Sequence, residues 1–170
     1  MSSSGAQLHN VFVYGSLQEP DVTYVMLERI PESISATLPG FKRMRLKGCL
    51  YPCIVPSEEG EVHGKVLKGL TDEELGNLDA VEGNGSERVT VGVVREDNSE
   101  KMPVKTNIWI DKNDPDLDGE WDFEEWKRLH KKKFIETFKE IMEWKKDPQG
   151  KGRDTFSHVL REDHVNAQFS

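Results

Sequence analysis

The sequence predicts an α+β fold, with a small mixed and mostly antiparallel sheet that curls into a barrel-like core between flanking helices. Three observations support this prediction. Extended segments outnumber helical ones, and short turns join most of them, which favours antiparallel pairing over a doubly wound sheet. Residues 9–16 are apolar on both faces, as in a strand at the centre of a sheet. Beyond residue 111 the composition changes to a charged helical extension.

The first half of the chain contains one predicted helix between extended segments. Residues 20–30 have apolar side chains at helical spacing, with Asp21 as the predicted N-cap and a proline directly after the run. Residues 33–53 have an extended pattern that Pro-Gly and Lys-Gly turns interrupt. Residues 62–67 form the next predicted strand, and Gly64 inside it indicates that another backbone approaches closely.

The second half starts with a short helix. Thr71 and Glu74 have the spacing of a capping box, in which each side chain bonds the backbone N–H of the other residue. Residues 88–94 and 104–110 alternate between apolar and polar side chains, and the polar turn between them predicts a hairpin. Residues 120–146 are predicted as one helix. Its apolar stripe consists of Phe134, Phe138, Ile141 and Met142. This stripe needs a covering surface, for which the sheet is the first candidate.

These patterns divide the chain into one domain, an extension and two less ordered ends. The acidic stretch after the domain is rich in turn-forming residues, and Asp147-Pro148 ends the helical pattern. The predicted segments are a disordered leader at 1–8, the domain at 9–111, an acidic linker at 112–119, a C-terminal amphipathic helix region at 120–147 and a loosely ordered tail at 148–170.

Composition and charge exclude several classes of partner. The 170 residues carry a formal net charge of −8, which argues against nucleic acid as a main partner because phosphate binding needs a basic surface. No apolar run approaches the roughly 18 residues of a membrane span, and residues 1–7 lack the pattern of a secretory signal. We therefore expect a cytoplasmic protein without a membrane segment. Lysines 131–133 alternate with acidic residues, which is typical of a solvated helix face, and a protein partner at this helix stays open.

The cysteine and histidine pattern predicts no metal site. Cys49 and Cys53 stand in an extended segment, too far apart for a disulfide bond unless Pro52 bends the chain. The five histidines lack the spacing of metal ligands. Two reduced thiols are therefore the simplest interpretation.

The most informative segment is the apolar strand that runs into Tyr14-Gly15-Ser16-Leu17. A glycine turn at the end of a buried strand can direct several backbone N–H groups at an anionic or carbonyl ligand. The alternative is an ordinary turn in which Gly15 supplies a positive φ.

A second candidate is the carboxylate of Glu82, which follows the short helix and has apolar neighbours. Burial and the negative end of a helix would both raise the pKa of this group, which suits a general base near neutral pH. The alternative is a solvated acidic residue at a helix end. Asp79 is the competing carboxylate, for which a structural hydrogen bond is the better interpretation.

Taken in order, these motifs resemble the γ-glutamylcyclotransferase family, and most closely its avirulence-induced plant branch. The resemblance covers residues 11–110, and the C-terminal third matches the plant branch only. The residues that carry it are Tyr14-Gly15-Ser16-Leu17, Leu50-Tyr51-Pro52, Val62-x-Gly64-x-Val66, Leu78-Asp79-x-x-Glu82-Gly83 and then Arg88, which opens a valine strand.

This resemblance implies a cyclotransferase-type fold, a reaction and a set of site residues. Glu82 would be the catalytic base, and the α-amine of a small γ-glutamyl substrate would attack its own γ-carbonyl to give 5-oxoproline and a released amine. Neither a metal nor an organic cofactor is required. The implied substrate-binding residues are Tyr14, Gly15, Ser16 and Leu17, with Gln18 and Glu19 at the far lip.

One departure from the family pattern leaves a second function open. Ser86 stands two residues before Arg88, where the family commonly has an aromatic side chain. Loss of a large ring beside the base could admit water or change the choice of substrate. The alternative function is a non-catalytic ligand-binding or stress and defence signalling protein on the same scaffold.

Overall fold

The computed structural model describes residues 8–47, 52–79 and 86–146. Within these ranges, five strands form a closed barrel in the order β1-β3-β2-β4-β5, which confirms the predicted α+β fold with a barrel-like core. The strands are β1 His9–Val13, β2 Ser33–Arg45, β3 Pro52–Leu70, β4 Ser86–Arg95 and β5 Lys101–Trp109. The helices are α1 Pro20–Leu27, α2 Asp72–Asp79, α3 Phe123–Leu129 and α4 Lys131–Lys146, and a 3₁₀ turn covers Ser16–Gln18.

Strand β1 has a paired strand on each side, as expected for the interior strand that its sequence predicted. It pairs antiparallel with β3 and parallel with β5, and this second pairing closes the barrel. Phe12 points into the barrel, where it contacts the side chains of the other strands, whereas Val11 and Val13 belong to the cluster that the helices cover. Because both faces of β1 are buried, the strand is apolar on both sides.

Gly64 of β3 allows its strand to approach β1 closely. A Cβ atom at this position would overlap the carbonyl oxygen of Val13 and lie 2.9 Å from the ring of Phe12. The prediction of a close backbone approach at Gly64 is confirmed.

The starts of two helices differ in how well the sequence predicted them. The capping box of α2 is confirmed, because Glu74 N donates to Thr71 Oγ1 at 3.1 Å and Thr71 N donates to Glu74 Oε1 at 3.0 Å. The sequence predicted Asp21 as the N-cap of α1, and this prediction is wrong. Glu19 is the N-cap, and Pro20 occupies the first helical position. Proline suits that position because its φ is already helical and its missing N–H would have no partner there.

The helix expected over residues 120–146 is divided at His130 into α3 and α4. Trp126 and Phe134 lie on opposite sides of this break, with an edge-to-face contact at 5.2 Å between ring centroids. In one continuous helix their Cα atoms would be about 12 Å apart along the axis. Together with Trp121 they are buried in a cluster that also contains Val11 and Val13 of β1, whereas the most extensive contacts of α4 in the described residues are with α1 and α3. Helices, and not the sheet alone, therefore cover this part of the stripe.

The acidic segment before these helices contacts the end of β2. Leu117 bridges to Leu46, and Asp118 N donates to the carbonyl oxygen of Arg45 at 2.8 Å. No helix in the described ranges is long and apolar enough to cross a membrane. Several predictions lie outside the described residues, namely those for the leader up to residue 7, Cys49, the tail, and the side chains of Phe138, Ile141 and Met142.

We expect Gly64→Ala to lower the free energy of unfolding by about 1–3 kcal/mol, because the new methyl group overlaps backbone that cannot move away. Gly92→Ala is the matched control, since no atom lies within 4 Å of a Cβ atom there. The control should be neutral or slightly stabilising. Urea denaturation measures both changes, and equal stability of the two variants would contradict this account of β1–β3 packing.

Glu74 is expected to make stability depend on acid pH. Its carboxylate accepts 2.6 and 2.7 Å hydrogen bonds from Arg29, and these bonds hold the pKa of Glu74 below its ordinary value of 4.5. A lowered pKa stabilises the fold above the unfolded-state pKa, and this contribution is lost as the pH falls through the folded-state pKa. Glu74→Gln should therefore cost roughly 1–2 kcal/mol at pH 7, and the difference from wild type should shrink towards pH 3.

Urea denaturation across this pH range tests the Glu74 prediction. The exposed neighbour Glu73 provides a control, because Glu73→Gln changes the same charge without removing an ion pair found in the described residues. If the difference in the free energy of unfolding between wild type and Glu74→Gln stayed constant from pH 7 to pH 3, the ion pair would not contribute to stability.

Candidate active site

The residues from Gly15 to Glu19, called the amide loop below, connect β1 to α1. Gly15 has a negative φ of −126°, so the alternative in which it supplies a positive φ is wrong. A glycine is needed for a different reason. A Cβ atom at residue 15 would lie 2.8 Å from Cδ of Pro52 at the start of β3.

The backbone carbonyl groups around the amide loop are bonded to the protein. Arg43 Nη1 donates to the carbonyl oxygen of Tyr14 at 2.8 Å, and Thr23 Oγ1 donates to that of Leu17 at 2.8 Å. Lys65 Nζ donates to the carbonyl oxygen of Gln18 at 3.1 Å. Within the loop, Gln18 N donates to Gly15 O and Glu19 N donates to Ser16 O.

The backbone N–H groups at the start of the same loop differ from its carbonyl groups, because they are not bonded to the protein among the described residues. In the part of the chain that the structure describes, no acceptor is found for the backbone N–H of Gly15, Ser16 or Leu17. Successive amides of this kind carry a local positive potential and can bind a carboxylate or stabilise an oxyanion. The loop therefore has the polarity that an oxygen-rich ligand requires.

Three cationic side chains from three different elements contact the loop. Arg43 comes from β2, Lys65 from β3 and Lys131 from α4. Burial lowers the pKa of Arg43, whose guanidinium lies 5.2 Å from the ring centroid of Trp121. Lys131 Nζ lies 2.7 Å from Glu19 Oε1 at the end of the loop. Arg43 and Lys65 bond carbonyl oxygens beside the loop, whereas the charge of Lys131 is balanced by Glu19 and Asp21.

Tyr14 links the start of the loop to β5. Its hydroxyl donates to the carbonyl oxygen of Asn107 at 2.7 Å, and its ring lies 6.2 Å from that of Phe12. One strand residue further in, Thr106 Oγ1 donates to Phe12 O at 2.9 Å. The loop is therefore attached to the last strand of the barrel as well as to β3.

The six residues predicted to bind substrate, Tyr14 to Glu19, are consecutive in sequence and form the connection from β1 to α1, and their role stays a prediction. Gln18 folds back on the loop, where its Nε2 lies 3.3 Å from Gly15 O. The predicted base Glu82, the side chain of the competing Asp79, and Tyr51 lie outside the described residues. In the described ranges, no group of three or more His, Cys, Asp or Glu side chains could hold a metal ion.

Sequence reasoning did not find the three cations that hold the loop. The register of the barrel, which pairs Val13 with Lys65, brings this lysine beside the end of β1. Neither Arg43 nor Lys131 is near the loop in sequence, and no motif marks them. Their positions depend on strand pairing and helix packing, so no local signal could have identified them.

Comparison with solved structures defines the class of fold. A γ-glutamyl cyclotransferase with 15% sequence identity superposes with a TM-score of 0.54 and covers 95% of this chain and 99% of that chain. Identity at this level shows the fold alone. The protein therefore has a cyclotransferase-type fold.

The chain itself belongs to the γ-glutamyl cyclotransferase, AIG2-like family, whose profile matches residues 11–128. AIG2-like protein A of Arabidopsis thaliana is 76% identical over 162 residues, which cover 95% of this chain and 98% of the relative. A solution structure of an Arabidopsis thaliana protein with 77% identity has a TM-score of 0.63 and covers 86% of this chain and 98% of that chain. These findings confirm the family, including its plant branch.

We expect Gly15→Ala to displace the amide loop, because the added methyl group overlaps the Pro52 ring. The backbone amide shifts of residues 15–17 should change, with a loss of about 1 kcal/mol or more in stability. Gly76→Ala is the control, since no atom lies within 4 Å of a Cβ atom there, and a helical alanine should stabilise slightly. Unchanged amide spectra in Gly15→Ala would contradict the close contact between loop and β3.

Proposed function

We propose that this protein is a γ-glutamylcyclotransferase. The observation that carries the proposal is the polarity of the amide loop, in which three N–H groups lack an acceptor among the described residues. Such a loop suits the oxygen atoms of a γ-glutamyl group, which has one carboxylate and one reactive carbonyl. Membership of the γ-glutamyl cyclotransferase, AIG2-like family supports this choice of substrate class.

In the proposed reaction, Glu82 takes a proton from the α-ammonium group of the substrate. The free amine attacks the γ-carbonyl carbon, a C–N bond forms, and the carbonyl oxygen gains negative charge that the loop N–H groups stabilise. The bond to the leaving amine then breaks as Glu82 gives the proton to that nitrogen, and a second proton passes from the ring nitrogen through Glu82 to the released amine. The products are 5-oxoproline and a protonated amine, so both protons lost by the α-ammonium group are accounted for and Glu82 ends as a carboxylate.

The substrate carries both reacting groups, so the protein needs to supply orientation, proton transfer and charge stabilisation only. Orientation of tethered groups is effective because little further entropy is lost at the transition state. The bonded carbonyl groups of the loop hold its N–H groups in place before the substrate arrives. This preorganisation is the physical advantage of the arrangement.

A second candidate function is a non-catalytic binding or defence signalling protein on the same scaffold. Ser86 favours it, because this residue starts β4 without the aromatic ring common at that position, and its Oγ lies 3.5 Å from Asn107 Nδ2. Such a protein would bind γ-glutamyl compounds without releasing 5-oxoproline. Partners other than a small γ-glutamyl substrate, and the cytoplasm as compartment, stay predictions from the sequence.

We expect Glu82→Gln to leave folding intact and to reduce 5-oxoproline formation by about 10²–10⁴-fold, because a positioned base contributes this much to the rate. The measurement is 5-oxoproline release from a panel of γ-glutamyl amides. Glu73→Gln on the exposed face of α2 is the control for a change of charge and should keep wild-type activity.

Two results would decide against this proposal in different ways. A folded Glu82→Gln variant with wild-type turnover would remove Glu82 from the mechanism. A wild-type protein that binds γ-glutamyl amides in calorimetry, yet releases no 5-oxoproline, would favour the non-catalytic alternative.

A further inference from the structure

The amide loop is held from two sides. Thr23, Lys65 and Arg43 belong to the barrel and to the helix that follows the loop. Lys131 is different, because it opens α4 in the C-terminal helical extension, 112 residues away from Glu19 in sequence. The loop thus has one charged contact with a part of the chain outside the barrel.

The geometry of this contact distinguishes it from an ordinary surface ion pair. Lys131 Nζ lies 2.7 Å from Glu19 Oε1 and 3.1 Å from Asp21 Oδ2. The side chains of Lys131 and Glu19 are only 25% and 18% exposed, whereas that of Asp21 is 70% exposed. Partial burial reduces screening by solvent and salt, so the pair with Glu19 is the stronger of the two. The hydrogen bond to Glu19 raises the pKa of Lys131, which therefore stays charged at neutral pH.

Glu19 connects the ion pair to the loop backbone. Its N–H donates to the carbonyl oxygen of Ser16 at 3.0 Å, and its own carbonyl oxygen accepts from Val22 N as the N-cap of α1. The side chain held by Lys131 therefore belongs to the residue that closes the 3₁₀ turn. A shift of Glu19 would be transmitted directly to the peptide groups of Ser16 and Leu17.

Helix α4 does not need this ion pair to stay in place. Phe134 is 1% exposed and contacts Trp126, and Thr137 is buried on the same helix. Contacts with α1 and α3 hold α4 in place. Loss of the Lys131 charge should thus affect the position of the loop more than the position of the helix.

We propose that Lys131 is a positioning residue of the active site, and that the C-terminal helical extension orients the amide loop through its ion pair with Glu19. This inference rests on the proposed function for its catalytic consequence. Lys131 does not touch the substrate in this scheme. It sets the orientation of the loop N–H groups that do.

The first test is the steady-state kinetics of Lys131→Met, which keeps the aliphatic stem and removes the charge. The ratio kcat/KM for a γ-glutamyl amide should fall about tenfold, with a lower kcat as well as a higher KM, because the displaced N–H groups both bind the substrate and stabilise the oxyanion. Lys131→Arg should restore both constants. Lys132→Met, at the exposed next residue, is the matched control and should change neither constant.

The second test uses the pair itself. Glu19→Gln should lower kcat/KM like Lys131→Met, and the double variant should be no worse than either single one, because both remove the same interaction. Asp21→Asn should have a small effect, since that carboxylate is mostly exposed. Additive effects of the two single substitutions would overturn the proposal.

The third test does not depend on activity. In ¹⁵N-labelled protein, Lys131→Met should move the amide resonances of Gly15, Ser16 and Leu17, and Lys132→Met should not. If wild type forms no 5-oxoproline, the proposed function fails while these spectra still decide the role of Lys131. The positioning role would be overturned if the loop resonances did not move, or if both lysine variants moved them equally. Failure of Lys131→Met to fold would also overturn it.

Discussion

Close packing between the end of β1 and β3 is the constraint on which the rest of the structure depends. Gly64 lets β3 approach the carbonyl group of Val13, and Pro52 at the other end of the same strand rests against Gly15. Lys65, the residue after Gly64, donates to the carbonyl oxygen of Gln18. One strand therefore fixes the path of β1, the start of the amide loop and its end. Larger side chains at either glycine are incompatible with this arrangement.

From this packing follows the chemistry that we propose. A loop whose carbonyl groups are bonded to protein donors presents its N–H groups without further rearrangement, and such preorganised dipoles are worth most where water is excluded. Arg43 and Lys65 bond carbonyl oxygens of this segment, and Lys131 bonds the carboxylate of Glu19. Under the proposed function, the N–H groups that this leaves without an acceptor among the described residues would bind the oxygen atoms of an acidic small molecule, although the chain carries a net charge of −8.

The sequence predicted features that have a local signature. The capping box at Thr71 and the close approach at Gly64 could be found because a few adjacent residue types require them. The residues from Tyr14 to Glu19 also form one continuous turn, and their role in substrate binding stays a prediction. The break at His130 could not be found, because it has neither proline nor glycine and follows from the contact of Trp126 with Phe134. The cations that contact the loop come from three elements, so only strand register and helix packing reveal them.

The parallel pairing of β1 with β5 has a consequence for how the protein folds. The hydrogen bonds from Thr106 to Phe12 and from Tyr14 to Asn107 join residues 94 and 93 positions apart. Contacts between residues so far apart in sequence form slowly, because a large loop must close, with a loss of chain entropy, before the contacts stabilise the fold. During synthesis, the hairpin of β2 and β3 can form well before β5 leaves the ribosome. The strand that precedes the amide loop then has one free edge until the ring of strands is complete.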